Sequence, residues 1–246
     1  MPSLTVTQEA LALTSAVLIG FSKTGLPGAG ILAIPLMAMV LPARESTGAL
    51  LPLLLVGDVI AVGWYHRHAA WPQLVRVIPW TAAGVVLGCI VLQRMTDRAL
   101  QPLIGGIVIV MLLVHQVSRR HGTPQHFPSR GWFAGGTGLL AGLSTMVANA
   151  AGPVMTIYLL AMRLPKTIFI GTAAWFFLLV NAFKVPFSTA LGLISRDSLW
   201  FDLTLVPCVL AGAVLGILLA QRIPERMFGI LVQVLAAAAA LRLLFG

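Results

Sequence analysis

Long apolar stretches fill almost the whole chain, and only short polar gaps separate them. Charged residues make up 9% of the 246 residues, whereas a soluble domain carries roughly 25%. Because so few charges cannot cover a surface that faces water, lipid must be the main solvent of this chain. The sequence therefore predicts an all-α integral membrane protein that crosses the bilayer several times. The apolar stretches are residues 8–22, 26–41, 46–65, 75–93 and 99–117, then 131–148, 150–162, 167–190, 200–221 and 226–245.

The positive charge of the chain does not indicate a nucleic-acid partner. The 16 Lys and Arg residues outnumber the 7 Asp and Glu residues, but most of them lie in the gaps between apolar stretches. This placement is typical of the loops of membrane proteins. The two cysteines, Cys89 and Cys208, lie inside apolar stretches and lack the spacing of metal ligands. The sequence therefore predicts no metal site, no cofactor and no nucleic-acid partner.

Two segments of the chain repeat the same order of residue types. Residues 83–88 read Ala-Gly-Val-Val-Leu-Gly and residues 211–216 read Ala-Gly-Ala-Val-Leu-Gly, and each segment continues to Gln-Arg and then to an acidic residue with Arg. Further matches between the halves are Gly20 with Gly142, Gly48 with Gly171, and Asp58 with Asn181. An internal duplication explains these matches. It predicts a first transmembrane repeat over 1–117, a polar linker over 118–130 and a second repeat over 131–246.

The first apolar unit of each repeat has an abnormal length. Gln8 to Leu41 comprises 34 residues interrupted near Lys23 to Gly30, and Gly131 to Met162 comprises 32 residues broken near Asn149. At about 1.5 Å per residue and a hydrocarbon core of about 30 Å, each unit is too long for one span and too short for two. We predict two short helices that meet at a turn inside the membrane. Interrupted segments at matching places in two halves are typical of transporter binding sites.

The distribution of basic residues favours such re-entrant hairpins. If both units return to their own side, nine basic residues lie on one side of the membrane and five on the other, whereas single crossings would give seven on each side. The positive-inside rule favours the unequal distribution. Each half then crosses three times net, so the two repeats are predicted to be inverted. Both termini are expected outside and the 118–130 linker in the cytoplasm.

Polar residues near the predicted turns indicate a binding site for a small anion. The returning helix of each hairpin begins inside the membrane, where its free N–H groups attract negative charge. Lys23 adds a full positive charge, although it could instead reach towards water from a turn near the surface. Asp58 and Asn181 could face each other as coupling groups or as structural links between helices, and Lys184 could share their face or extend to the surface. The predicted substrate-binding residues are Ser22, Lys23, Thr24, Gly25, Gly28, Gly30, Ser144, Thr145 and Asn149.

The chain resembles the TauE/SafE family of sulfite and organosulfonate exporters. The resemblance is carried by the glycine-rich run from Gly20 to Pro35, by its counterpart from Gly142, and by Gly171-Thr172. The second hairpin departs from the family pattern, since it has Ala150-Ala151-Gly152 where a glycine triplet is typical. The resemblance implies a multi-pass protein of the bacterial cytoplasmic membrane that exports a small anion, such as sulfite or a sulfoacetate-like sulfonate.

Two other functions compete with this interpretation. A double hairpin could also line an anion channel. An intramembrane hydrolase is disfavoured, because no Gly-x-Ser-x-Gly pattern occurs and His115 is the one histidine inside an apolar stretch. The choice of anion, coupling to protons and the oligomeric state are left open by the sequence.

Overall fold

The fold is a bundle of α-helices. The computed structural model describes residues 4–25, 30–121 and 131–219, together with positions 234, 237, 238, 241 and 245. The three continuous ranges contain nine helices and no strand, which confirms the predicted all-α class. Four of these helices are long and apolar enough to cross a membrane: α3, α4, α8 and α9. The helices are α1 (Val6–Thr24), α2 (Gly30–Ala38), α3 (Ala43–Tyr65), α4 (Trp71–Arg94), α5 (Asp97–His121), α6 (Gly131–Ala148), α7 (Gly152–Ala161), α8 (Lys166–Ala190) and α9 (Arg196–Leu219).

Two of the predicted segments fall wholly or partly outside the described residues. The predicted span at 226–245 lies there apart from single positions. The first four residues of the predicted 118–130 linker belong to the end of α5, and the others lie outside the described residues.

The first broken unit folds back on itself. The Ser15 hydroxyl of α1 donates to the Ala33 carbonyl of α2 over 3.0 Å, while Ser22, later in α1, lies beside Gly30 at the start of α2. The later residue of α1 thus contacts the earlier residue of α2, and the earlier residue of α1 contacts the later one. The two helices therefore run antiparallel and form a hairpin.

The arms of both hairpins differ in length from the prediction. We expected two short helices, but α1 has 19 residues and α6 has 18, which gives each a length of about 28 Å. The returning helices are the short ones, with 9 residues in α2 and 10 in α7. The difference has a local cause in the first half: the capping box of Thr5 and Gln8 starts α1 early, and no residue interrupts it before Gly25.

Glycines bring the hairpin arm of each half into backbone contact with a helix of the other half. A Cβ added to Gly212 of α9 would collide with the Val17 carbonyl of α1. In the same way, a Cβ at Gly142 of α6 would collide with the Thr81 carbonyl of α4, and one at Gly84 with the Leu139 carbonyl. Small residues drive such packing in lipid because the bilayer provides no hydrophobic force between helices. Both copies of the repeated Gly-x-x-x-Gly pattern are therefore used within the monomer.

A second pair of glycines also makes close backbone contacts between the two halves. A Cβ at Gly48 of α3 would collide with the carbonyl of Leu193, in the loop after α8. A Cβ at the matching Gly171 of α8 would collide with the carbonyl of His68, in the loop after α3. Each loop thus packs against the equivalent helix of the opposite half.

We predict that Gly48→Ala destabilises the protein while Gly63→Ala, in the same helix, does not. The new methyl group at position 48 meets a backbone carbonyl that cannot move without displacing its loop, whereas a Cβ at Gly63 meets no atom within 4 Å. Alanine should even stabilise the helix at position 63 by up to about 1 kcal/mol. Thermal unfolding in detergent should show a lower midpoint for Gly48→Ala only. Equal midpoints for the two variants would contradict the proposed backbone contact.

Candidate functional site

A small cavity lies between the two hairpins, next to α8. Its volume is about 90 Å³, several times the roughly 10–15 Å³ that one water molecule requires. Both returning helices border it at their first residues, Gly30 of α2 and Gly152 of α7. Most of its wall is apolar, with Ile34, Leu54 and Phe177 among its members. The cavity therefore has room for one small solute.

Lys23 is the one charged residue among the described residues that line this cavity. It lies in the last turn of α1, and its side chain is 10% exposed. Its Nζ lies 2.7 Å from Oδ1 of Asp58 and 4.2 Å from the centroid of the Phe177 ring. A carboxylate and the face of an aromatic ring both stabilise an ammonium group. These two contacts fix the Lys23 ammonium at the cavity wall, so the side chain does not extend to the surface.

Asp58 joins the two halves of the chain. Its side chain is fully buried in α3, and its Oδ2 accepts a hydrogen bond of 2.6 Å from Nδ2 of Asn181 in α8. The two positions that match between the halves in the sequence are thus in contact in the structure. The same carboxylate therefore holds Lys23 through one oxygen and Asn181 through the other.

Lys184 holds the turn of the second hairpin. Its side chain is 1% exposed, so it does not extend to the membrane surface. Its Nζ donates to the Thr145 carbonyl over 2.7 Å, to Thr145 Oγ1 over 3.2 Å and to Asn149 Oδ1 over 2.6 Å. Asn149 has a positive φ of 53°, and its Nδ2 donates to the Thr47 carbonyl over 3.0 Å. Hydrogen bonds at both ends of its side chain thus hold Asn149 in this rarely populated conformation.

The predicted substrate-binding residues divide into three groups. Those that line the cavity are Ser22, Lys23, Gly25, Gly30 and Asn149.

Three others are buried but do not belong to the cavity wall. Thr24 donates to the Ala213 carbonyl of α9 over 2.7 Å, Ser144 donates to the Ala141 carbonyl, and Thr145 accepts from Lys184. Gly28 lies outside the described residues.

Two residues that the sequence did not single out are notable. Phe177 holds the Lys23 ammonium, but nothing in the sequence distinguishes it from the other ten phenylalanines. Asp202 of α9 is buried, and neither carboxyl oxygen has a hydrogen-bond partner within the described part of the chain. An acidic residue inside the apolar stretch 200–221 was the signal that could have drawn attention to it.

The cavity combines one ammonium group, that of Lys23, with a mostly apolar wall. An ammonium group carries three N–H donors, and the pair with Asp58 leaves donors of Lys23 for a solute in the cavity. Within the described ranges, no group of three or more His, Cys, Asp or Glu residues could hold a metal ion.

Comparison with known proteins identifies the family. No curated protein and no solved structure matches the chain. The family model described as sulfite exporter TauE/SafE matches residues 12–243, which is nearly the whole length. The match confirms the resemblance that the glycine-rich runs indicated, and it agrees with apolar helices long enough to span a bilayer. The chain therefore belongs to the TauE/SafE sulfite exporter family, whose members are membrane transporters and not enzymes.

Proposed function

We propose that the protein exports a small anion, sulfite or an organosulfonate, through the cavity between its two hairpins. The observation that carries the proposal is the ammonium group of Lys23 at the wall of that cavity, in a chain of the sulfite exporter family. A charge-assisted hydrogen bond from this ammonium to a sulfonate or sulfite oxygen would hold the anion against the mostly apolar wall of the cavity.

The ends of the returning helices support binding of an anion at the same place. The N-termini of α2 and α7 both border the cavity, at Gly30 and Gly152. Each helix start carries free N–H groups and a partial positive charge. Because glycine has no side chain, an oxyanion can approach these backbone groups closely. Ser22 and Asn149 complete the polar part of the proposed site.

The proposed framework is a pair of inverted repeats, 1–117 and 131–246, joined by a cytoplasmic linker. It is supported by the internal duplication and by the exchange of contacts between equivalent elements, in which α1 packs against α9 and α6 against α4. The bacterial inner membrane and both termini outside remain part of the proposal. They rest on the family resemblance and on the unequal distribution of basic residues.

We predict that the double variant Lys23→Met/Asp58→Asn exports the anion with a much lower apparent affinity. Removing Lys23 alone would leave the Asp58 carboxylate buried without its ion pair and would destabilise the fold by several kcal/mol. The double variant removes both charges, so it tests binding separately from folding. Loss of one charge-assisted contact should weaken apparent affinity by roughly ten- to a hundredfold.

The measurement is uptake of labelled sulfite or a labelled alkanesulfonate by proteoliposomes. Arg196→Ala is a suitable control, since Arg196 is exposed in the first turn of α9 and does not belong to the described cavity wall. The control should transport like the wild type. Full transport by a well-folded double variant would remove Lys23 from the proposed site.

We also predict carrier kinetics. A site that holds one small solute should give saturable uptake, and unlabelled anion on the opposite side of the membrane should accelerate the exchange of labelled anion. The same proteoliposomes can measure both effects. Continuous single-channel currents in a planar bilayer would instead support an anion channel.

A further inference from the structure

Three ionisable side chains lie beside the cavity, and the hydrogen bonds that each one makes fit its charged form. Lys184 donates to three oxygens at 2.6–3.2 Å. The Thr145 carbonyl and Asn149 Oδ1 can act only as acceptors, and with the Thr145 hydroxyl as a third acceptor this set of partners fits the ammonium form. Asp58 accepts from the Asn181 amide on Oδ2 and pairs with Lys23 on Oδ1, which is the pattern of a carboxylate. Lys23, between this carboxylate and the Phe177 ring, is an ammonium.

With each of the three groups in this charged form, the cluster of Lys23, Asp58 and Lys184 carries one net positive charge. Asp202 does not belong to it. Thr24, beside Lys23, bonds to the carbonyl of Ala213, and Asp202 lies about three turns, or about 16 Å, earlier along α9. An excess charge inside the bilayer is costly, because no water is present to solvate it. A bound anion at Lys23 would offset this cost.

We propose that the site selects singly charged anions over doubly charged ones, so that the transported species are bisulfite and sulfonates and not the sulfite dianion or sulfate. This inference rests on the proposed function. A monoanion makes the occupied cluster neutral, whereas a dianion leaves one net negative charge in the same surroundings. The remaining wall of the cavity is mostly apolar and offers little to stabilise a second negative charge.

The charge state of the substrate can be tested on the wild-type protein. An alkanesulfonate stays singly charged and sulfate stays doubly charged over the whole neutral range, while bisulfite loses its proton there. We expect unlabelled methanesulfonate to inhibit the uptake of labelled sulfite by proteoliposomes at least about tenfold more strongly than sulfate does. At fixed total sulfite, uptake should fall as the pH rises through neutrality.

Uptake of labelled methanesulfonate is the control for titration of the protein itself. It should change little over the same pH range. Sulfite uptake that is constant or rises with pH, relative to this control, would overturn the selection for monoanions.

The variant Asp58→Asn tests the charge count directly. It raises the net charge of the cluster by one while nearly preserving side-chain volume. We expect the inhibition by sulfate relative to methanesulfonate to increase, on the order of tenfold. Asp197→Asn provides the matched control, since Asp197 is exposed in the first turn of α9. An unchanged ratio in folded Asp58→Asn would overturn the proposal.

Different results would contradict the proposed function and the proposed selection by charge. If the wild type transports neither sulfite nor a sulfonate, the proposed function is wrong. If it transports both anions but accepts sulfate equally well, only the selection by charge is wrong. Should Asp58→Asn not fold, the pH dependence of the wild type still decides the question.

Discussion

The ion pair between Lys23 and Asp58 is the interaction on which the centre of this protein depends. An isolated charge within a bilayer has no water to solvate it, so each partner needs the other. The pair joins the end of α1 to α3, and Asn181 extends the same connection from Asp58 to α8. The hairpin end is thereby fixed relative to both halves. The ammonium at the cavity wall is consequently available to a solute without being left uncompensated when the cavity is empty.

In the second half, hydrogen bonds take the place of this ion pair and connect the first arm of the hairpin to the following helix. Position 145 corresponds to position 23 in the duplication, and there a threonine accepts hydrogen bonds from Lys184 of α8. In both halves a lysine thus ties the first arm of the hairpin to the helix that follows the hairpin. In the first half the lysine is Lys23 on the hairpin arm α1, and in the second half it is Lys184 on the following helix α8. This divergence places two lysine side chains near one carboxylate, that of Asp58.

Duplication made part of this site predictable from the sequence. Asp58 and Asn181 occupy matching positions in the sequence of the two halves, and their side chains meet in the structure. The partner of Lys23 could not be predicted, because it depends on how α1 and α3 are rotated about their axes. Lys184 lies three positions after Asn181, and this spacing suits either a buried or a surface orientation. The length of α1 was missed, since hydropathy alone did not reveal that the interruption follows a continuous helix of 19 residues.

The position of the cavity follows from the packing of glycines. In lipid, helices are held by close backbone contact, and such contact is made where α1 meets α9 and where α6 meets α4. The returning helices are different. A Cβ at Gly152 would meet no atom within 4 Å, and α2 and α7, at about 14 and 15 Å, reach only half of a hydrocarbon core of about 30 Å. Two long arms fixed to opposite halves, with two short helices between them, leave unfilled space where those short helices begin. The cavity lies there, beside Lys23.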